Sequence, residues 1–214
     1  MFVTFEGIEG CGKTTQMERF ANTLKRQGIP LITTFEPGGT RIGKDIRRIL
    51  LDNRNVDLSP LAELILYAAD RAQHIEEVIK PALDQGKWVI CDRFVDATLA
   101  YQGAARSQDM GLIQFLNEES TRGISPDMTF LLDCPVEMGL KRAIKRNETL
   151  SQQDQDRFER EALDFHSKVR KGYLDLANEH KERFVIIDAT LSMDAMEKEI
   201  FKHIEPHLRR DSVP

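Results

Sequence analysis

The chain has 214 residues, of which 41% are hydrophobic and 30% are charged, so it can bury a core and keep a charged surface. This composition excludes a disordered chain and a fibrous repeat, and no apolar run reaches the roughly 18 residues that a membrane span needs. A formal net charge of −5 argues against broad nucleic-acid binding, so neither a nucleic-acid nor a membrane partner is expected. Three scattered cysteines without metal-ligand spacing, behind an N-terminus with no signal-like segment, are typical of a cytoplasmic protein.

Five short apolar runs, bounded by turn residues or charges, predict buried β-strands covered on both faces. They span residues 2–6, 31–35, 88–91, 128–132 and 184–187. Segments with helical periodicity lie between them, and strands that alternate with helices predict βαβ units. We therefore expect an α/β fold, with a five-stranded parallel sheet and helices on both faces, in a single domain over residues 1–214.

Two features mark the helical segments. Ser59 followed by Pro60 predicts a helix start, and Pro81 is expected to kink or end that helix before Gly86. Residues 146 to about 157 interrupt the helical periodicity, because they are polar and rich in glutamine. They predict an exposed loop or lid, followed by a helical stripe that starts at Phe158.

The strongest motif matches G-x-x-x-x-G-K-[ST], the pattern of a phosphate-binding loop (P-loop), between a predicted strand and a predicted helix. Its residues are Gly7, Ile8, Glu9, Gly10, Cys11, Gly12, Lys13, Thr14 and Thr15. The glycines let backbone N–H groups converge on one anion, and the helix N-terminus adds its dipole. Lys13 is expected to reach the β- and γ-phosphates of a nucleoside triphosphate, and the Thr14 hydroxyl to ligate Mg²⁺.

A second signal is the predicted strand that ends in Asp92 and Arg93. An aspartate at this point can hold Mg²⁺ through water, and the arginine can bind the phosphate of an acceptor. Asp133 and Asp188 also end predicted strands, where an aspartate often serves only as a cap or turn former. The adjacent arginine distinguishes Asp92 from these two.

A phosphate-binding loop alone does not separate kinases from switches, motors or nucleic-acid ATPases. The chain has no Asn-Lys-x-Asp guanine motif and no basic stripe, which favours a small-molecule kinase. Two alternatives stay open. One is a nucleotide or nucleoside kinase of the same fold that accepts another base, and the other is a nucleotide-dependent switch or ATPase without a small-molecule acceptor.

Four elements, in order and spacing, resemble the bacterial thymidylate kinases. They are Gly7 to Thr15, Glu36-Pro37-Gly38-Gly39-Thr40, Tyr67-Ala-Ala-Asp70-Arg71, and Asp92-Arg93-Phe94 with Ala100-Tyr101-Gln102-Gly103. The resemblance extends from Met1 to about Ala189. It implies a three-layer P-loop NTPase-type fold with a small lid, ATP as co-substrate, dTMP as acceptor, Mg²⁺ as cofactor, and a homodimer.

The resemblance also implies the roles of the acceptor-site residues. Glu9 is expected to bind the 3′-hydroxyl of the acceptor sugar, and Arg93 its 5′-phosphate. Tyr67 is expected to stack on thymine and Arg71 to bind the base. Thr98 and Gln102 are expected to bind the edge of thymine, and Tyr101 to exclude a ribose 2′-hydroxyl. The remaining expected substrate contacts are Glu36 and Pro37.

Because Gly10 and Cys11 are neutral, the resemblance implies that the lid supplies the arginine beside the transferred phosphate. The candidates are Arg146, Arg157 and Arg160, of which Arg157 matches the family best. Arg157 is thus expected to be catalytic together with Lys13 and Arg93. Arg142, one helical turn before Arg146, is expected to flank the adenine or the phosphates.

Overall fold

The computed structural model of the protein describes residues 1–150, 157–159 and 161–208. Five parallel strands form one sheet in the order β2-β3-β1-β4-β5. Their bounds are β1 (Phe2–Glu6), β2 (Leu31–Phe35), β3 (Trp88–Asp92), β4 (Met128–Asp133) and β5 (Phe184–Asp188). The five predicted strands are confirmed, and the last three extend one residue further than predicted.

Helices occupy the segments between the strands. Their bounds are α1 (Lys13–Arg26), α2 (Arg41–Leu51), α3 (Pro60–His74), α4 (Lys80–Asp84), α5 (Val95–Thr98), α6 (Met110–Thr121), α7 (Val136–Leu150), α8 (Leu163–Glu179) and α9 (Met193–Leu208). A π-helical turn, Ile75–Ile79, joins α3 to α4, and a second one, Leu99–Ala105, follows α5. The predicted cap is confirmed, because the Ser59 side chain accepts a hydrogen bond from the Ala62 N–H and Pro60 starts α3. The helical path ends at Asp84, before Gly86, as predicted.

The polar segment after residue 145 differs from the prediction. Residues 146–150 are the last turn of α7 rather than a loop, and residues 151–156 and Arg160 lie outside the described residues. Polar side chains complete this turn: Asn147 is buried and bonds Glu159, and the Thr149 hydroxyl donates to the Lys145 carbonyl. Composition alone therefore misplaced the end of this helix.

The helix after this segment also starts later than predicted. Phe158 lies in a turn over residues 157–159, and α8 begins at Leu163. The Phe158 ring packs edge-on against Tyr101, with the ring centroids 5.5 Å apart. Its apolar character thus reflects packing over the second π-helical turn, and not a place on the apolar stripe of α8.

The sheet places the loops that matter for function at one edge. Parallel strands all end at the same edge of a sheet, so the turns after β1, β2 and β3 meet there. Behind this edge, Phe5 of β1, Phe20 of α1 and Phe130 of β4 pack together with ring centroids 5.3–5.9 Å apart. Within the described residues, no helix is long and apolar enough to cross a membrane.

Candidate active site

A cavity of about 570 Å³ opens at this edge of the sheet. Fourteen of the residues expected from the sequence line it: Glu9, Gly10, Lys13, Thr14, Glu36, Pro37, Tyr67, Arg71, Asp92, Arg93, Thr98, Tyr101, Gln102 and Arg146. Of the remaining P-loop residues, Gly7, Ile8, Cys11 and Gly12 complete the turn between β1 and α1, and Thr15 lies in the first turn of α1. The structure thus brings the donor-side and acceptor-side candidates together around one cavity.

The P-loop backbone turns through three glycines with positive φ, Gly7, Gly10 and Gly12. Gly10 has a φ of +69°, and a Cβ added there would lie 1.9 Å from the carbonyl oxygen of Gly139 in α7. The Lys13 ammonium donates to the carbonyls of Gly7 and Ile8, at 2.9 and 2.8 Å. A buried positive charge is therefore held in the loop beside the cavity.

Thr14 and Asp92 meet at the start of α1 and the end of β3. The Thr14 hydroxyl donates to Asp92 Oδ2 at 2.5 Å. Both groups offer the hard oxygen atoms that Mg²⁺ prefers. Among the described residues there is no cluster of three or more acidic, histidine or cysteine side chains suited to a metal. Two protein oxygens fit Mg²⁺ nonetheless, because this ion usually keeps several waters and binds substrate phosphates.

The other two strand-end aspartates have structural partners. Asp133 forms a bidentate ion pair with Arg170, in which Nε and one terminal nitrogen of the arginine donate to the two carboxylate oxygens at 2.6 and 2.8 Å. Asp188 accepts hydrogen bonds from the backbone and hydroxyl of Thr190, as a turn former does. Of the three, Asp92 is the one that lines the cavity, next to Arg93.

Arg93 and Glu9 form the centre of the site. Arg93 has a φ of +68°, a left-handed conformation that is uncommon for a residue other than glycine, and functional sites often contain such strain. One terminal nitrogen of Arg93 donates to Glu9 Oε1 at 3.0 Å, and the Tyr101 hydroxyl donates to the same oxygen at 2.6 Å. The Arg93 guanidinium also lies 4.9 Å from the centre of the Tyr101 ring.

The surroundings of Glu9 keep its carboxylate ionised. Burial by itself raises the pKa of Glu9, but the charge of Arg93, contact with His166 and the charge of Lys13 outweigh burial. The pKa is thereby held well below its usual range. Glu9 is therefore a fixed anion, able to accept a further hydrogen bond from a hydroxyl group.

Tyr173 of α8 supports Arg93 from the other side, and sequence reasoning missed it. The second terminal nitrogen of Arg93 donates to the Tyr173 hydroxyl at 3.1 Å, which donates to Glu6 Oε2 at 2.7 Å. The Phe94 N–H holds the other oxygen of Glu6. Burial and the nearby charge of Asp96 raise the pKa of Glu6 to about 8. A tyrosine on an amphipathic helix reads as ordinary core, so no signal in the sequence marked Tyr173.

Arg71 is almost fully committed to protein partners. Its guanidinium donates to Glu36 Oε2, Asn117 Oδ1 and Thr98 Oγ1, each at 2.9 Å, and to the Phe94 carbonyl at 3.4 Å. Four of its five N–H groups thus have a protein acceptor. In this structure Arg71 fixes the positions of Glu36 and Thr98 along the cavity wall, and Asn117 is a partner that sequence reasoning missed.

Glu63, a buried glutamate on α3, binds three side chains from later segments of the chain. Glu63 Oε1 accepts from Gln102 at 2.8 Å and from Arg106 at 2.7 Å, and Oε2 accepts from Arg157 at 2.6 Å. Tyr67, one turn further along α3, is half-buried and lines the cavity. Burial raises the pKa of Tyr67, so its ring presents a neutral phenol.

Of the four arginines expected near the nucleotide phosphates, Arg142, Arg146 and Arg157 are among the described residues and occupy different positions. Arg157 pairs with Glu63, donates to the Leu50 carbonyl at 3.0 Å, and lies outside the cavity lining. Arg146 lines the cavity and donates to Glu159 at 3.2 Å. Arg142 donates to the Ala189 carbonyl at 3.2 Å, at the turn after β5.

Arg47 lines the cavity together with Arg71, Arg93 and Arg146, but it was not predicted from the sequence. Arg47 of α2 donates to the Pro37 carbonyl at 2.8 Å, and its guanidinium lies 5.6 Å from the centre of the Phe35 ring. Burial lowers the pKa of Arg47. Its neighbour Arg48 is exposed, and nothing in the sequence distinguishes the two.

Comparison with known proteins agrees with this geometry. The family model for thymidylate kinase matches residues 5–200. The chain is 52% identical over 199 residues to the thymidylate kinase of Geotalea uraniireducens, covering 93% of both chains. It is 55% identical over 190 residues to that of Desulfosudis oleivorans, covering 88% of this chain and 89% of the relative.

A solved structure gives the same result. The crystal structure of thymidylate kinase from Ehrlichia chaffeensis is similar to this chain with a TM-score of 0.75 and 33% identity, covering 96% and 98% of the two chains. The expected P-loop NTPase-type fold is thereby confirmed. The alternative of a switch or ATPase from another class is set aside by these matches, which cover most of the chain. The chain belongs to the thymidylate kinase family.

Proposed function

We propose that this protein transfers the γ-phosphoryl group of ATP to dTMP, giving ADP and dTDP on the route to dTTP for DNA synthesis. Membership of the thymidylate kinase family supports this activity. One observation carries it at the level of the site: a single cavity joins the P-loop lysine, Lys13, to the Arg93–Glu9 pair and to the ring of Tyr67. Donor, acceptor phosphate and base each have a suitable group in that order.

On the donor side, the P-loop backbone and Lys13 bind the phosphates of ATP. Thr14 and Asp92 would hold Mg²⁺, which when bound neutralises phosphate charge and orients the transferred group. Arg142, beside the turn after β5, flanks the nucleotide. Lys13 is buried, so its charge acts on the phosphates with little screening by water.

On the acceptor side, Arg93 binds the 5′-phosphate and Glu9 the 3′-hydroxyl of dTMP. The contact between them keeps Glu9 on the sugar side, where its charge does not repel the acceptor phosphate. We assign to Tyr101, whose hydroxyl donates to Glu9, the exclusion of an acceptor that carries a 2′-hydroxyl. The proposed base contacts are Tyr67 by stacking, and Glu36, Pro37, Arg71, Thr98 and Gln102 along the wall.

The chemistry needs positioning rather than a strong base, because the attacking phosphate oxygen is already an anion. Catalysis is in-line transfer between two bound phosphates, with Lys13, Arg93 and a lid arginine neutralising the charge of the transition state. We assign the lid role to Arg157. Glu63 also pairs with Arg106, so Arg157 can leave Glu63 for a phosphate without isolating that carboxylate.

The activity is tested by ADP release with ATP and Mg²⁺, comparing dTMP, dUMP, dCMP, dGMP, AMP and UMP at equal concentration. We expect a strong preference for dTMP. Comparable turnover of another monophosphate would keep the phosphoryl transfer and overturn the base assignment. ADP release that ignores every acceptor would overturn the kinase proposal itself.

We also propose a homodimer and a single domain of residues 1–214 with a lid around residues 146–157. Helices α2, α3 and α6 pack side by side and expose large apolar side chains. These are Ile42, Ile49, Leu61, Ile65, Met110, Leu112 and Phe115. A Phe115→Glu variant that sediments as a monomer, beside a dimeric wild type, is the expected result, and a monomeric wild type would contradict it.

Three buried free thiols fit a reducing compartment, so we place the enzyme in the cytoplasm.

A further inference from the structure

His166 on α8 is a buried polar side chain that the proposed reaction does not use. Its ring is fully buried, and its Nδ1 lies 3.4 Å from Glu9 Oε2. Within the described residues, neither ring nitrogen has a hydrogen bond of good geometry, and Glu9 Oε2 has none either. Two orphaned polar groups thus face each other behind the acceptor site.

This arrangement lowers the stability of the folded protein, so a functional reason for its presence is expected. A buried polar atom without a partner is destabilising, and an apolar residue of similar size would fill the position without that cost. The neighbouring Phe165 ring, 5.5 Å from the His166 ring, shows that aromatic packing is available here. The imidazole at this position therefore indicates a requirement for a donor rather than for volume.

Glu9 is the group that needs this hydrogen-bond donor. Its Oε1 is fixed by Arg93 and Tyr101, but the terminal torsion of a glutamate is soft, so one fixed oxygen does not fix the carboxylate plane. A second donor at Oε2 would set that plane. The separation of 3.4 Å is long for a hydrogen bond, and a small rotation of either group closes it.

We propose that His166 is a positioning residue, whose Nδ1–H donates to Oε2 of Glu9 and orients this carboxylate toward the 3′-hydroxyl of the acceptor. Both the imidazolium and the neutral Nδ1–H tautomer carry the required proton. The inference rests on the proposed role of Glu9 in binding the sugar. Its consequence is that His166 controls how strongly the enzyme prefers an acceptor with a 3′-hydroxyl.

The test compares two acceptors that differ only at this group, dTMP and its 3′-deoxy analogue, in wild type, His166→Asn and His166→Gln. The amide nitrogen of asparagine can take the place of Nδ1, whereas that of glutamine takes the place of Nε2. We expect the ratio of kcat/KM for the two acceptors to fall about tenfold in His166→Gln and to stay within about twofold of wild type in His166→Asn. The KM for ATP should not change in either variant.

The outcomes separate this inference from the function on which it rests. A wild type that does not discriminate between the acceptors would remove the role of Glu9, and the inference with it. A wild type that discriminates, with a His166→Gln variant that discriminates equally well, would overturn the inference and leave Glu9 in place. Equal losses in both variants would reduce His166 to packing.

A second measurement needs no variant that must fold well. Nitrogen-15 NMR of the imidazole rings in wild-type protein with dTMP reports which ring nitrogen of His166 carries the proton. We expect a protonated Nδ1. A neutral ring protonated only at Nε2 would overturn the proposal, because Nδ1 would then have no proton to donate.

Discussion

The cavity has two walls of different construction. The first, the sheet edge, consists of residues 7–15 and 92–93, where backbone turns and strand ends place Lys13, Thr14, Asp92 and Arg93. The second, the helical wall, consists of α3 and residues 157–159, with α8 packed behind the second π-helical turn, and here side chains hold one another. Glu63 and Arg157, for example, are 94 positions apart in the chain. At the sheet edge, backbone turns position the side chains, and these side chains then pair with one another, as Thr14 does with Asp92 and Arg93 with Glu9. In the helical wall, pairs of side chains from distant segments position one another.

This difference decides what a substitution does. At the sheet edge the scaffold stays in place when a functional side chain is removed, because the turn is fixed by strand pairing and glycines. In the helical wall the functional groups are also the supports, so their removal leaves a buried charge without its partner. Loss of activity and loss of stability should therefore separate between the two walls.

The largest effect is expected at the sheet edge. Lys13→Ala should lower kcat by about 10³-fold or more, because it removes the buried charge that we propose binds the transferred phosphate. Turnover measured with saturating dTMP, together with the melting temperature, checks this. Lys25→Ala, an exposed lysine in the last turn of the same helix, is the matched control and should be nearly silent. Near-normal turnover in Lys13→Ala would contradict the mechanism.

The helical wall should show the opposite pattern. Glu63→Ala should lower the free energy of unfolding by about 3–5 kcal/mol, because Arg106 and Arg157 lose a fully buried carboxylate. Urea unfolding measures this loss. The control is Glu161→Ala, which removes a partly exposed partner of Arg106 and should cost less than about 1 kcal/mol. Equal losses in the two variants would erase the distinction between the walls.

Arg157 tests whether a group of the helical wall also takes part in the chemistry. Arg157→Ala should lower kcat by about 10²-fold, because the charge on the transferred phosphate loses a partner. Arg146→Ala removes an arginine that lines the cavity and donates to Asn147 and Glu159. It should lower kcat less than about fivefold on the same scale. The reverse order would move the lid role to Arg146.

The two walls also differ in how much of them the sequence reveals. Strands covered on both faces are continuous apolar runs, and a P-loop is a contiguous motif, so both were predicted from the residues alone. Residues 146–150 were mistaken for a loop because their helix is completed by polar side chains, of which Asn147 is buried. The π-helical turn Leu99–Ala105, which carries Tyr101 and Gln102 into the cavity, has no sequence signature that we could use.

The family resemblance placed the acceptor residues around the cavity, but not their supports. Arg71 was expected to bind the base, and the structure shows that its N–H groups are mostly taken by Glu36, Thr98 and Asn117. His166 and Tyr173 escaped notice because a polar aromatic residue on an amphipathic helix looks the same whether it packs or supports a site. Only contacts between distant segments distinguish these cases.

A smaller effect concerns Asp70, which α3 presents to the backbone of the turn after β2. Asp70 Oδ1 accepts from the Gly38 N–H, and burial together with the charge of Glu36 raises the pKa of Asp70 from 3.8 to about 6. Between these values the folded state binds more protons than the unfolded state, so stability falls as the pH rises. Asp70→Asn does not titrate there. Its stability relative to wild type should rise by about 1 kcal/mol from pH 5 to pH 8.

Urea unfolding of both proteins at the two pH values measures this change. Asp45→Asn, which changes an exposed aspartate on α2, is the control variant and is measured in the same way. A difference between Asp70→Asn and wild type that does not vary with pH would mean that Asp70 is charged in the folded protein at both pH values. The helical wall would then tolerate a buried charge that its geometry does not compensate.

The smallest effect should link the two walls. Tyr173→Phe removes the hydroxyl that accepts from Arg93 and donates to Glu6, and it leaves the aromatic ring of α8 in place. Arg93 should then be held less firmly toward the acceptor phosphate, and the KM for dTMP should rise about fivefold, the equivalent of one neutral hydrogen bond. The KM for ATP should not change, because Lys13 and Thr14 belong to the other wall. If the KM values for dTMP and ATP rose together, Tyr173 would support both substrate sites. A substitution in α8 would then affect the sheet edge as a whole, and the two walls would not act independently there.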